Sequence, residues 1–205
     1  MFEAKSRFDD SYSRIKTMHS LYDHLLNNSK FPHDMISDIL RSELVSVVSA
    51  LDRFIHDIVK VGIIESYNGQ RQLTNSCSNF QINIGDLKTF LNPTINQDPD
   101  IILGDIIDRK HSHLSFQDPK KIADALSLFW DDNQKWQTIA SQLGSDQNTI
   151  KVELKNIIIR RNQIVHEADF DAFQNQLQII KANDVENSVE FINNLVEVIY
   201  NLIKI

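Results

Sequence analysis

The chain has 205 residues, 41% hydrophobic and 24% charged, the balance of an ordinary globular protein with length for one substantial domain or two small ones. The single Cys77 excludes an internal disulfide framework and a multi-cysteine zinc site within one copy, and five glycines with four prolines are too few for an architecture of frequent tight hairpins. A formal net charge of -7 makes a broadly basic nucleic-acid-binding surface untenable, so any phosphate contact must come from a local cluster of cations.

From Asp9 to Asn27, Ile15, Met18, Leu21, Tyr22, Leu25 and Leu26 recur at three- and four-residue spacings, which predicts an amphipathic helix. Pro32 marks a new start. From there to about Ser66 the pattern Ile36, Leu40, Leu44, Val47, Leu51, Phe54, Ile55 and Ile58 stays in helical phase, interrupted only by a late Gly62. Asn68 to Asn79 reads as a polar loop, a short helix is expected from Gly85 to Leu91, and Asn92-Pro93 with Asp98-Pro99 punctuates a second loop. Helices are expected from Pro99 to Arg109 and from Pro119, capped by Asp118, to about Trp130.

Asn133 to Leu143 reads as a helix closed by Gly144, and Ser145 or Asp146 caps the next, which carries Ile150, Leu154, Ile157, Ile158 and Ile164 and ends near His166. Asn183, with Glu186 three positions on, is expected to cap a last helix striped by Val185, Val189, Ile192, Leu195, Val196, Ile199 and Ile203. The expectation is an all-α fold, a single domain over residues 1–205 built as a bundle of about seven helices. No run of about 18 apolar residues occurs, and no early basic stretch precedes an apolar segment. A cytoplasmic protein with no membrane association is therefore expected.

Arg160, Arg161, Asn162 and His166 gather at the end of the apolar helix. At about 100° per residue Asn162 and His166 share a face, whereas Arg161 lies about 140° round the axis from His166. They can converge if the helix frays, if Arg161 uses its long stem, or if the motif sits in a groove between two copies. The set suits cleavage of a phosphodiester beside a ribose hydroxyl. Histidine exchanges protons near neutral pH, and arginine offers a permanently charged fork to the phosphate oxygens as charge builds on them. Asparagine can orient the histidine or bond a phosphate oxygen. The attacking 2′-hydroxyl is already in the substrate, so neither a metal nor a cofactor is expected.

Arg161-Asn162-Gln163-Ile164-Val165-His166 resembles the R-N-x-x-x-H signature of HEPN ribonucleases, on a late helix as in that superfamily. The stretches Leu40 to Leu44, Ser49 to Asp57, Ser115 to Leu126 and Arg160 to Asp169 are similar to its RiboL-PSP-HEPN branch, so the resemblance covers most of residues 35–170. It implies a HEPN-type helical core and a homodimer whose two motifs face one cleft. Arg161 and His166 become the catalytic pair, Asn162 an accessory catalytic residue and Arg160 an RNA-binding residue. The implied activity is endonucleolytic cleavage of RNA to 2′,3′-cyclic phosphate and 5′-hydroxyl ends, in a toxin or antiviral-defence effector, with room for an antitoxin partner. The alternative is a catalytically inactive HEPN dimer that binds RNA, a nucleotide or a protein partner.

Other features are weaker. Ala140, Gly144 and Ile150 fall at the spacing of a DNA-binding helix-turn-helix with Lys151 and Lys155 beyond, but the spacing is degenerate and the chain acidic, so specific DNA binding is disfavoured. His111-Ser112-His113 reads as a solvated helix end rather than the start of a metal site. Asp52 and His56 are spaced to pair on one face, Arg41 and Glu43 read as a solvated or ion-paired face, and Trp130 and Trp136 as packing residues.

Overall fold

The computed structural model describes residues 1–93, 98–171 and 176–205. Among these stand nine helices: α1 (Phe2–Asn28), α2 (His33–Tyr67), α3 (Asn75–Ser78), α4 (Ile84–Leu91), α5 (Pro99–His111), α6 (Pro119–Leu126), α7 (Lys135–Gln142), α8 (Gln147–His166) and α9 (Ala182–Ile203). The described residues contain no strand, only an isolated antiparallel bridge between Phe170 and Leu177. The all-α expectation holds. The loop expected at Asn92 to Pro99 falls largely on residues 94–97, outside the described ones.

The count exceeds the expected seven. Part of the difference is α3, a single turn inside the stretch read as a loop. Thr74 Oγ1 accepts the Cys77 N–H at 3.0 Å and donates to the Ser127 carbonyl at 2.9 Å, so one buried hydroxyl both caps the turn and ties it to the end of α6. Four residues of Asn, Ser and Cys carry no periodicity by which to be recognised.

Helix α2 is the axis. Its 35 residues run about 50 Å, and it packs against α1, α5, α6, α8 and α9. Leu40, Val47, Val48, Leu51, Phe54, Ile55 and Ile58 are all inaccessible to solvent, each contributing about 1.5–3 kcal/mol of transfer free energy. Helix α1 lies antiparallel on α2, since His19 bonds Glu43 at 2.9 Å while the earlier Arg7 meets the later Asp57 at 3.5 Å. It lies antiparallel to α9 as well, where Lys16 meets Glu190 at 3.1 Å and Lys5 meets Glu197 at 2.5 Å.

Three of the boundaries that differ from expectation have a visible physical reason. Helix α1 begins at Phe2 because Ala4 and Phe8 extend the stripe into the core, within a segment whose charged residues mask it. Helix α6 stops at Leu126, after which Leu128 and Phe129 donate to Ala125 and Leu126 at 3.1 Å and turn Phe129 onto Gly62. A Cβ at Gly62 would stand 2.2 Å from the Phe129 ring, which explains the glycine inside a long apolar helix. Helix α9 opens at Ala182 after an extended Lys181, and the expected cap Asn183 lies inside it. Alanine's high helix propensity carries the start back, and Glu186 faces Lys16 at 3.4 Å instead of forming a capping box.

Candidate functional site

Helix α7 ends at Gln142 with Leu143 as its cap, Gly144 with a φ of 66° then reverses the chain, and Asp146 caps α8 by accepting the Asn148 N–H at 2.8 Å and the Thr149 N–H at 3.1 Å. Hydrogen bonds from these two amides hold the Asp146 carboxyl below its usual range, together with the Thr149 hydroxyl, the largest cause. Ala140 and Ile150 on either side of the turn are buried, which is what the helix-turn-helix spacing amounts to here. Ile150, Leu154 and Ile157 anchor the inner face of α8 against α2, α6 and α7.

That inner stripe reaches Arg161 at its next step, because 150, 154, 157 and 161 are separated by four, three and four residues. Arg161 is accordingly half-buried. Its Nη1 donates to Asn162 Oδ1 at 2.9 Å, whereas its Nε is buried with no hydrogen-bond partner among the described residues. His166, the last residue of α8, is exposed and about 140° further round. The structure therefore brings Arg161 and Asn162 together and leaves His166 on a different side of the same helix end.

Arg160 has a different fate. Its Nη2 donates to Asp169 Oδ2 at 2.9 Å, and its Nη1 bonds the other carboxylate oxygen. Asp169, 1% exposed, also accepts Arg41 Nε at 2.6 Å. Arg41, 7% exposed, gives its remaining nitrogens to the Gln178 carbonyl at 2.7 Å and to Ser37 Oγ at 2.7 Å. One buried carboxylate thus joins α2, α8 and the chain returning toward α9. The Asp169 N–H donates to the Gln163 carbonyl at 3.1 Å, and its carbonyl accepts from Gln178 N–H at 2.8 Å. Ala168 and Asp169 hold φ values of 50° and 61°, the left-handed region that residues with a Cβ seldom adopt. An open groove of about 720 Å³ between α8 and α9, with Val152, Asn156, Ile179 and Asp184 in its walls, runs up to Arg160.

Asp169 and Arg41 have no sequence signature as partners, although both stand in the stretches that carried the resemblance. The remaining candidates resolve as packing. His111 is 5% exposed, not a solvated helix end; its ring meets Phe80, Phe116 and His56, and Nδ1 has no partner among the described residues. Burial, reinforced by His56, pushes its pKa down to about 4. Asp52 does not bond His56 but accepts the Phe116 N–H at 2.5 Å, while the His56 ring packs 4.5 Å from Phe116. Glu43 is not solvated: it is 1% exposed, meets His19, and has its carboxyl raised by burial. Trp136 is buried and donates to the Pro119 carbonyl at 2.9 Å. Among the described residues no three His, Cys, Asp or Glu side chains gather as a metal site, and no helix is long and apolar enough to cross a membrane.

An all-helical chain built round one long axial helix, with an Arg-Asn-x-x-x-His run closing a late helix, defines a protein of the HEPN class. The chain belongs to the RiboL-PSP-HEPN family, which it matches over residues 9–204. No curated protein and no solved structure matches it.

Proposed function

We propose that this protein is a metal-independent endoribonuclease in which Arg161 and His166 are the catalytic pair and Asn162 an accessory. HEPN membership supports an RNA-cleaving or RNA-binding role. The observation that carries the finer reading is the state of Arg161: a half-buried side chain, braced by Asn162, whose Nε is buried without a hydrogen-bond partner among the described residues. A buried donor without an acceptor is costly unless a ligand supplies one, and a phosphate oxygen that gains charge in the transition state is such an acceptor. His166, exposed on the same helix end, takes the 2′-hydroxyl proton or delivers one to the departing 5′-oxygen. The products are a 2′,3′-cyclic phosphate and a 5′-hydroxyl.

Because Arg161 and His166 lie about 140° apart on α8, we assign the working site to a homodimer in which two motifs share a cleft. Arg160 contributes charge at its edge while paired with Asp169. The whole chain acts as one domain, in the cytoplasm, as a toxin or defence effector whose antitoxin, where one exists, would cover this cleft. Purified protein is incubated with a fluorescent single-stranded RNA in EDTA. Cleavage by the wild type that is lost in both Arg161→Ala and His166→Ala, with melting temperatures kept, supports the enzyme. A folded wild type that binds RNA or a nucleotide without cutting it assigns the alternative, a non-catalytic HEPN protein.

A further inference from the structure

We propose that Asp169 is the positioning residue for His166, acting through the guanidinium groups of Arg160 and Arg41. His166 makes no hydrogen bond through its ring among the described residues, so its place is set by the backbone that carries it. That backbone is fixed on both sides. Six residues before His166, Arg160 is tied to the Asp169 carboxylate; three residues after it, Asp169 itself is tied to α2 through Arg41 at 2.6 Å. The Gln163 carbonyl accepts two amides, Glu167 N–H at 3.0 Å and Asp169 N–H at 3.1 Å, which closes the last turn of α8 round His166.

The two consecutive left-handed residues, Ala168 and Asp169, are the conformational signature of this arrangement. Such backbone persists where the surroundings over-determine it, and it clusters where geometry serves function. Here the reversal turns the Asp169 carboxylate inward between two cations and leaves His166 outside in solvent. A catalytic side chain needs placement within a fraction of an ångström, and an exposed residue at a fraying helix end lacks this unless the end is clamped. The same carboxylate that holds the fold together therefore sets the position of the proton-transfer group. The kinetic part of this inference rests on the ribonuclease reading; its spectroscopic part does not.

The test uses the full chain carrying Asp169→Asn, which keeps the side-chain shape and tolerates left-handed backbone but cannot neutralise two guanidinium groups. A second variant, Arg41→Lys, keeps its charge on α2 and loses the fork that reaches both Asp169 and Gln178. Thr74→Ala, which removes a cap outside this region, controls for simple loss of stability. Three quantities are read: melting temperature, kcat and KM for single-stranded RNA, and the ring carbon-bound proton signals of His166 by NMR.

In Asp169→Asn, kcat is expected to fall about tenfold or more with KM within about twofold, and the His166 signals to shift and broaden. Arg41→Lys moves both in the same direction by less, and Thr74→Ala moves neither. If Asp169→Asn lowers the melting temperature while kcat and the His166 signals stay as in the wild type, the clamp is merely structural and the proposal is overturned. If the wild type cuts no RNA, the ribonuclease reading fails on its own, and positioning is decided by the His166 signals. If Asp169→Asn does not fold, the same two outcomes are read from Arg41→Lys.

Discussion

Two sets of polar groups sit side by side at the end of α8, and they are built on opposite principles. Around Asp169 both carboxylate oxygens and both guanidinium groups find partners, and Asp169 and Arg41 are buried. Around Arg161 one nitrogen is held by Asn162, Nε is buried without a partner among the described residues, and His166 stands in solvent. Neighbouring arginines in the sequence thus have different work: Arg160 completes an internal structure, and Arg161 is left short of an acceptor. Saturated groups stabilise; unsaturated ones are what a substrate can complete.

The largest effect that would break this comparison concerns chemistry. His166→Ala and Arg161→Ala are each expected to reduce RNA cleavage by about 10²- to 10⁴-fold, with melting temperatures within about 4 °C of the wild type. Arg161→Ala should leave stability level or slightly raised, because it removes a buried unpaired donor. Asp169→Ala sits on the other side of the comparison. It strands two guanidinium groups, one of them deeply buried, and should cost about 3–5 kcal/mol in denaturant unfolding. Equal stability losses for Arg161→Ala and Asp169→Ala would erase the distinction.

His111 sharpens the comparison, because its Nδ1, like Arg161 Nε buried and without a partner among the described residues, is enclosed by aromatic rings. Its pKa of about 4 in the folded chain lies below the ordinary 6.5, so the unfolded state takes up the proton first as pH falls. Stability is therefore full above pH 6.5 and declines as pH drops toward 4, by about 3 kcal/mol. Melting curves of His111→Phe should be flatter over that window, while RNA cleavage at pH 7 is unaffected. The smallest effect is that of salt. Raising it from about 0.05 M to about 0.5 M should increase KM for single-stranded RNA about fivefold for one phosphate contact, and leave the buried Asp169 cluster almost untouched.

The helices that carry the core were legible because their stripes are long or their caps conventional: α2 by phase alone, α6 by its Asp-Pro start, and α8 by Gly144 and Asp146. Charged residues hid the start of α1, and α3 was too short to show a period. At the candidate site, the face angles of Arg161 and His166 followed from spacing, and the roles proposed for them rest on resemblance. The Asp169 cluster was not legible, since Arg41 and Asp169 are 128 positions apart and no local rule pairs them. The left-handed Ala168 and Asp169 were hidden for a related reason: that backbone is imposed by tertiary contacts on residues that do not favour it.

In the proposed chemistry, Arg161 and the exposed His166 cut RNA by way of the substrate's own 2′-hydroxyl. Mass spectrometry of the fragments from a short RNA incubated with the wild-type protein in EDTA tests this most directly. A 2′,3′-cyclic phosphate on one fragment and a 5′-hydroxyl on the other, both absent when the nucleotide 5′ of the cut carries a 2′-deoxy sugar, is the predicted result. Fragments ending in a 3′-hydroxyl and a 5′-phosphate, or cleavage that survives the 2′-deoxy substitution, would contradict it.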